Sequence, residues 1–284
     1  MTWTVSGSLD DFRAHTDAFL AERPAENTVL LTVVHRLAGY GLDVFGEGAP
    51  VFGWWRAEPG GPVAGAFLQT PPYEPRLGAM PVEAAAELAA VLAATGADVR
   101  GVSGGEGPAR AFSAAWQAAT GAAESVKSSE RLYRLGELTL DPARTPAGRH
   151  RPAVAADREL LIGWYQAFLT ETGVLLPNVA RSVDDRTAAG GLCLWEDAGR
   201  PVAMAGVSPV IAGMSRVGPV FTPPELRGRG YASGVTAAAS AHALDRGAAE
   251  VLLYTDLANP TSNSIYQRIG YRPVEDCLTL DFPS

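Results

Sequence analysis

One order of elements can be read twice along this chain: two helices, three strands, then helix, strand, helix, strand. The repeat predicts two domains in tandem. In the second copy, residues 157–172 (DRELLIGWYQAFLTET) return Leu160, Leu161, Trp164, Phe168 and Leu169 at helical spacing, and a shorter helix follows at 179–189. Strands at 192–195, 202–210 and 214–221, with a turn at 197–200, make an antiparallel meander. An alanine-rich helix at 231–244, a short buried strand at 251–255, a helix at 261–269 and a closing strand at 278–282 complete the copy. The first copy is less sharply marked, with helices at 9–21 and 27–37, strands at 51–56, 63–70 and 76–80, and a helix at 82–94. A strand at 98–102, a helix at 108–119 and a closing strand at 131–135 follow. Between the copies Pro142, Pro146 and Gly148 stand among small and polar residues, the composition of an exposed connector. The expected division is a first domain at 1–140, a linker at 141–149 and a second domain at 150–284.

Composition permits two cores and narrows the partners. The 284 residues are 47% hydrophobic, enough to bury the interiors of two small domains. Their 23 basic and 31 acidic residues leave a formal charge of −8, and Lys127 is the single lysine, so a nucleic-acid partner is disfavoured. No apolar run approaches the roughly 18–20 residues of a membrane span, and no basic segment followed by a hydrophobic one opens the chain. No membrane partner and a cytoplasmic location are expected. Cys193 and Cys277 cannot make a disulfide framework, and His15, His35, His150 and His242 lack ligand spacing, so no metal is expected and both cysteines read as buried thiols. Trp54 and Trp55 alternate faces on a strand, with core packing as their expected use.

One junction differs between the copies. Met80-Pro81 passes almost directly from strand to helix, whereas the second copy inserts Thr222-Pro-Pro-Glu-Leu-Arg-Gly-Arg-Gly230. Glycines at 228 and 230 let a backbone approach a ligand closely, and the helix behind them presents unpaired N–H groups. Its first turn, Tyr231-Ala-Ser-Gly234, has no acid to answer the positive dipole end, while Arg227 and Arg229 add charge of the same sign. The natural complement is a phosphate-bearing ligand, although a glycine-rich turn with solvated arginines fits the same residues. A Walker A loop is excluded by the absence of Gly-Lys-Ser/Thr, and a dinucleotide fingerprint by the strand meander that precedes the loop.

Arg227-Gly-Arg-Gly230-Tyr-Ala232 resembles the Arg/Gln-x-x-Gly-x-Gly/Ala signature of the GNAT N-acetyltransferases, which bind the pyrophosphate of acetyl-CoA with it. The resemblance extends through Val217-Gly-Pro-Val-Phe-Thr222 and Asn259-Pro-Thr-Ser-Asn-Ser-Ile-Tyr266-Gln-Arg-Ile-Gly-Tyr271, and covers about the last 130 residues. It implies an α/β (α+β) fold of two GNAT-like domains, the first degenerate, each a mixed, mostly antiparallel sheet flanked by helices with a splayed central strand pair. Pro219 and Pro223 cannot donate ladder hydrogen bonds, which agrees with such a gap, although an edge strand would carry prolines too. By resemblance, Val220, Phe221 and Thr222 pair with the pantetheine arm, while Arg227, Gly228, Arg229, Gly230, Tyr231 and Ala232 cradle the diphosphate. Asn259 reads locally as a helix cap before Pro260, and the resemblance places it with Asn263 in the coenzyme site. Asn263 and Tyr266 are three apart on one helical face, with Ile265 and Ile269 on another that can be buried.

The implied reaction is attack of a primary amine on acetyl-CoA, a co-substrate, through a tetrahedral intermediate, with Tyr266 as general acid toward the thiol sulfur. With a thiol near 8.5 and a tyrosine near 10, full proton transfer is uphill by about 2 kcal/mol, so Tyr266 serves in a site that penalises the thiolate or as a hydrogen-bond donor. Many relatives carry a Glu on the strand before the loop, but Ser215-Arg216 stands there. Asp256 is the first candidate for the base, with Glu171 and Glu196 behind it. The charge favours a small cationic amine or a basic peptide as acceptor. The chain is expected as a monomer or homodimer. A non-catalytic CoA sensor or scaffold and a longer-chain acyltransferase are the alternatives.

Overall fold

The structure, a computed structural model, describes residues 2–141, 145–174, 176 and 178–283. It resolves into two compact units, one of residues 1–132, 256–258 and 274–284, the other of 133–255 and 259–273.

In the first unit, β1 (Thr2–Ser6), β2 (Val51–Arg56), β3 (Val63–Gln69) and β4 (Arg76–Leu77) run antiparallel in that order. β5 (Gly101–Gly105) lies parallel to β4 through the pair Arg76↔Ser103. Helices α1 (Leu9–Glu22), α2 (Thr28–Tyr40), α3 (Val82–Ala94) and α4 (Glu106–Thr120) clothe this sheet. The paired tryptophans serve opposite faces: Trp54 stacks on His15 of α1, with ring centroids 4.5 Å apart, while Trp55 Nε1 donates to Glu87 of α3 at 2.8 Å. β1 is a strand that the sequence pattern does not predict. β6 (Ser125–Leu135) begins six residues earlier than expected.

The second unit holds the meander β7 (Arg149–Pro152), β8 (Leu192–Asp197), β9 (Arg200–Val207) and β10 (Met214–Phe221), all antiparallel, followed by β11 (Glu250–Asp256), parallel to β10. Helices α5 (Arg158–Thr172) and α6 (Val179–Ala188) bury Leu161, Tyr165 and Val183 against Leu194, Met204 and Phe221. Val235 and Ala239 of α7 (Tyr231–Asp245), with Tyr266 of α8 (Pro260–Arg268), join Trp195, Ala203, Val217 and Leu253 in the other core. β7 takes Arg149, the last residue of the expected linker. It is held by a bidentate pair between Arg151 and Asp157, at 2.6 and 2.8 Å, which keeps the Asp157 carboxyl below the ordinary range.

The closing strands depart from expectation. β12 runs from Tyr271 to Asp281, and its residues Cys277–Asp281 pair antiparallel with β5 of the first unit, from Cys277↔Gly105 to Asp281↔Gly101. Residues 274–284, expected in the second domain, thus group with the first unit. Packing accounts for it: Leu278, Leu280 and Phe282 enter the cluster of Phe67, Leu88, Phe112 and Trp116, and the Phe282 ring stacks 6.0 Å from that of Trp116. Among the described residues, no helix is long and apolar enough to cross a membrane.

Candidate active site

β10 and β11 keep parallel register only from Met214↔Glu250 to Arg216↔Leu252. On its other side, β10 stays with β9 as far as Phe221↔Met204, across an irregularity between Val217 and Val220. Pro219 lies in that irregularity and has no N–H to give. The two central strands therefore part, and the β11-facing edge of Val220, Phe221 and Thr222 is left without a ladder partner. Thr222 is buried and among the described residues its Oγ1 meets no hydrogen-bond partner, a group that ordinarily costs about 1–3 kcal/mol to leave unsatisfied.

The loop beyond is held from within. Arg227 Nε donates to the Thr222 carbonyl at 3.0 Å, folding the segment back on the strand end. Gly228 and Gly230 have φ of +79° and +84°, left-handed values that glycine accepts freely. A Cβ on Gly228 would meet no atom within 4 Å, so its backbone faces open space. Gly230 is the N-cap of α7 without a side-chain cap, and the first turn carries no acid. Ala232 lies in that first turn, partly exposed. One neighbour of this helix start is not legible from sequence. Asp197 of the β8–β9 hairpin accepts the Tyr231 hydroxyl, which raises the pKa of that tyrosine, and Arg229 acts on it in the opposite sense.

Arg227 is also engaged. Its Nη2 reaches both oxygens of Glu171, at 2.8 and 2.7 Å, and its guanidinium lies 5.9 Å from the centre of the Phe221 ring. Glu171, a reserve candidate for the base, is thus the partner of the loop arginine. Glu196, the other reserve, pairs with Arg151 at 3.0 Å. A carboxylate on Arg227 competes with a diphosphate for the same donors. The pair is half exposed and worth ~0–1 kcal/mol. Glu171→Gln is therefore expected to tighten CoA binding by up to about fivefold in calorimetry; weaker binding would make Glu171 a support of the loop instead of a competitor.

On α8, Asn259 caps the helix as its local sequence implies, accepting from the Ser262 N–H at 3.0 Å. Asn263 Nδ2 donates to the Asn259 carbonyl at 2.8 Å, and its Oδ1 accepts the Tyr133 hydroxyl at 2.9 Å. Tyr133 in turn accepts from Gln267 at 3.0 Å. It is fully buried and lies 130 residues before Asn263, beyond any local pattern. Tyr266 does not share an open face with Asn263 but turns into the core with Ile269, its ring edge-on to Tyr271 at 6.1 Å. Burial pushes its pKa up to about 12, with Ser262 pulling the other way.

Asp256 ends β11, exposed, and accepts the Ala258 N–H at 2.8 Å; it groups with the first unit. Ser215, at the place of the strand carboxylate, is buried and donates to the Ser208 carbonyl at 2.8 Å. Arg186 of α6 donates to the Gly218 carbonyl at 2.9 Å, steadying the irregular turn of β10 from outside its own sheet neighbours. Cys193 and Cys277 are buried and unpaired with each other, and burial pushes the Cys193 thiol up to about 11, away from nucleophilic use.

A parted strand pair, a buried hydroxyl without a partner among the described residues and a glycine loop on an acid-free helix start lie in sequence along β10 and α7. The residues present fit coenzyme A. Residues 158–271 match the model of the acetyltransferase (GNAT) family. Among solved structures, the chain is similar to a GNAT-family acetyltransferase from Colwellia psychrerythraea over 100% of both chains, at 12% identity and a TM-score of 0.62. It is similar to a GCN5-related N-acetyltransferase from Sphaerobacter thermophilus over 98% of this chain and 94% of that one, at 15% and 0.64. A Drosophila protein covers 99% and is covered to 98%, at 13% and 0.65. At such identities the likeness is one of fold, and it runs through both units. No curated protein matches the chain. The family model thus matches almost wholly within the second unit, and the fold of both units is that of these GNAT structures.

Proposed function

We propose that this protein transfers the acetyl group of acetyl-CoA to a primary amine by direct attack, through a tetrahedral intermediate. The observation that carries this reading is the opening between β10 and β11 beside a loop that exposes its backbone at Gly228. Acetyl-CoA supplies the activated acyl group. Val220, Phe221 and Thr222 hold the carrier arm along the open strand edge, with the unsatisfied Thr222 hydroxyl gaining a partner. The N–H groups behind Gly228 and Gly230, with Arg227 and Arg229, take the diphosphate. Backbone N–H groups along Val220 to Thr222 stabilise the developing oxyanion. Asn259 and Asn263 complete the coenzyme site at the start of α8, Tyr266 hydrogen-bonds the leaving sulfur, and Asp256 receives the amine proton. The acceptor class that suits the −8 charge is a small cationic amine or a basic peptide.

Gly228→Val tests the cradle. A β-branched residue at φ +79° costs ~1–2 kcal/mol in the loop and places a side chain where the ligand backbone contact lies. CoA affinity should fall about a hundredfold in calorimetry while the melting temperature drops by only a few degrees. Wild-type protein that gives no heat with CoA or acetyl-CoA would end the reading.

A CoA sensor without turnover is the second reading, favoured by the burial of Tyr266 and the engagement of Asn263. Thiol release with a panel of amines separates the two, because a sensor binds the coenzyme and releases none.

A further inference from the structure

α6 reaches the middle of β10 with one side chain. Arg186 Nη1 donates to the Gly218 carbonyl at 2.9 Å, inside the irregularity between Val217 and Val220 where β10 leaves β11. Among the described residues no carboxylate pairs with Arg186, whereas Arg158 and Arg227 each take one. Its charge is directed at a peptide carbonyl instead. Two glycines make this contact possible, for different reasons. At Gly206 of β9 a Cβ would stand 2.6 Å from Arg186 Nη1 and 2.6 Å from the Gly218 oxygen, so a side chain there would push the pair apart. The Gly206 backbone is ordinary strand, with no positive φ to require glycine. Gly218 is the reverse case: a Cβ would meet nothing within 4 Å, but its φ of +151° is backbone that side chains avoid.

The ladder fixes which way the next N–H points. The Val207 N–H donates to the Gly191 carbonyl, one residue before β8, so along β9 Val207 and Ala205 face β8 while Gly206 and Met204 face β10. Phe221 stands opposite Met204 and exchanges its hydrogen bonds there. Val220, opposite Ala205, therefore turns its N–H away from β9 to the open edge. Pro219 has no N–H, so Val220 carries the first donor after the gripped carbonyl. The proline ring also fixes φ. A single free torsion, ψ of Pro219, thus lies between the peptide that Arg186 holds and the peptide that carries the Val220 N–H.

We propose that Arg186 is a positioning residue for acetyl transfer: by gripping the Gly218 carbonyl across Gly206, it aims the Val220 N–H at the thioester oxygen on which negative charge develops. The inference rests on the acetyl-CoA reading of the site and adds to it a residue of α6 that acts through the backbone. A donor aimed in advance stabilises the oxyanion without reorganising, and that advantage is lost when its peptide is free to turn.

The test uses the full chain and acetyl-CoA carrying carbon-13 at the thioester carbonyl. In the infrared difference spectrum of the wild-type complex, the labelled carbonyl should absorb at lower wavenumber than in free acetyl-CoA, because the Val220 N–H polarises it. This readout needs no turnover: a wild-type shift without thiol release from any amine would sink acetyl transfer and still support the aim of Val220. Arg186→Met and Gly206→Ala should each lower kcat about ten- to a hundredfold and shrink the carbonyl shift, with acetyl-CoA affinity in calorimetry kept within about twofold. Arg186→Lys, which keeps a cationic donor, should recover part of both. Three results would overturn the proposal: no shift in the wild-type complex, wild-type kcat in both variants, or a fall in kcat with the full carbonyl shift retained.

Discussion

Tyr266→Phe is expected to lower kcat about a hundredfold or more while leaving the affinity for acetyl-CoA within a fewfold of wild type. The variant keeps the ring that packs against Tyr271 and removes one hydroxyl bonded at Ser262, a loss of about 1 kcal/mol of stability, so a fall in turnover cannot be laid to unfolding. The magnitude of the pKa shift also decides how the hydroxyl works. At about 12 it lies some 3.5 units above an ordinary thiol, and complete transfer to a free thiolate would be uphill by about 5 kcal/mol. Tyr266 therefore acts by donating a hydrogen bond while charge grows on sulfur, unless the site destabilises the thiolate equally. One pH consequence follows. Folding raises this pKa from 10 to about 12, so its contribution to stability is complete below pH 10 and is lost as pH climbs toward 12. Below pH 10, Tyr266 should impose no alkaline limb on the rate. Undiminished kcat in the phenylalanine variant would remove Tyr266 from the mechanism and leave the sensor reading ahead.

Deleting residues 274–284 should unfold the first unit, although the cut falls at the opposite end of the chain from most of it. The segment contributes Leu278, Leu280 and Phe282 to a core shared with Phe112 and Trp116, and the hydrogen-bonded partner of all of β5. Three buried side chains of this size are worth roughly 5–9 kcal/mol, comparable with the whole stability of a domain. Hydrogen exchange is the direct measurement: amides of β5 and α4 should lose protection, while those of β9 and α7 keep theirs. Full protection of β5 in the truncated chain would show that the pairing with β12 is dispensable.

What could be read from sequence was what neighbours in sequence decide. Asn259-Pro260 starts α8 because the cap and the first-turn proline act within one turn. Residues 214–221 and 82–94 fall where their apolar pattern sets them. The glycine loop also was legible, since left-handed backbone at Gly228 and Gly230 is a property of those residues. Distant choices were not. Either closing strand offers alternating apolar residues, and nothing local says that Leu278 and Leu280 meet Phe112 and not the second core. The Glu171–Arg227 pair spans 56 residues, and the Tyr133–Asn263 bond 130. Polar spacing with Asn263 sets Tyr266 on an open helical face, whereas its aromatic contact with Tyr271 turns the ring inward.

The exchanged strand also sets a timetable for synthesis. Gly101–Gly105 emerges from the ribosome roughly 170 residues before the segment that pairs with it, a delay on the order of 10–30 s at about 5–20 residues per second. Throughout that interval the nascent chain displays an open β edge of small residues, the kind of template that recruits stray strands. Chaperone dependence in the cell should therefore concentrate in the amino-terminal portion, even though that portion is the first to be made.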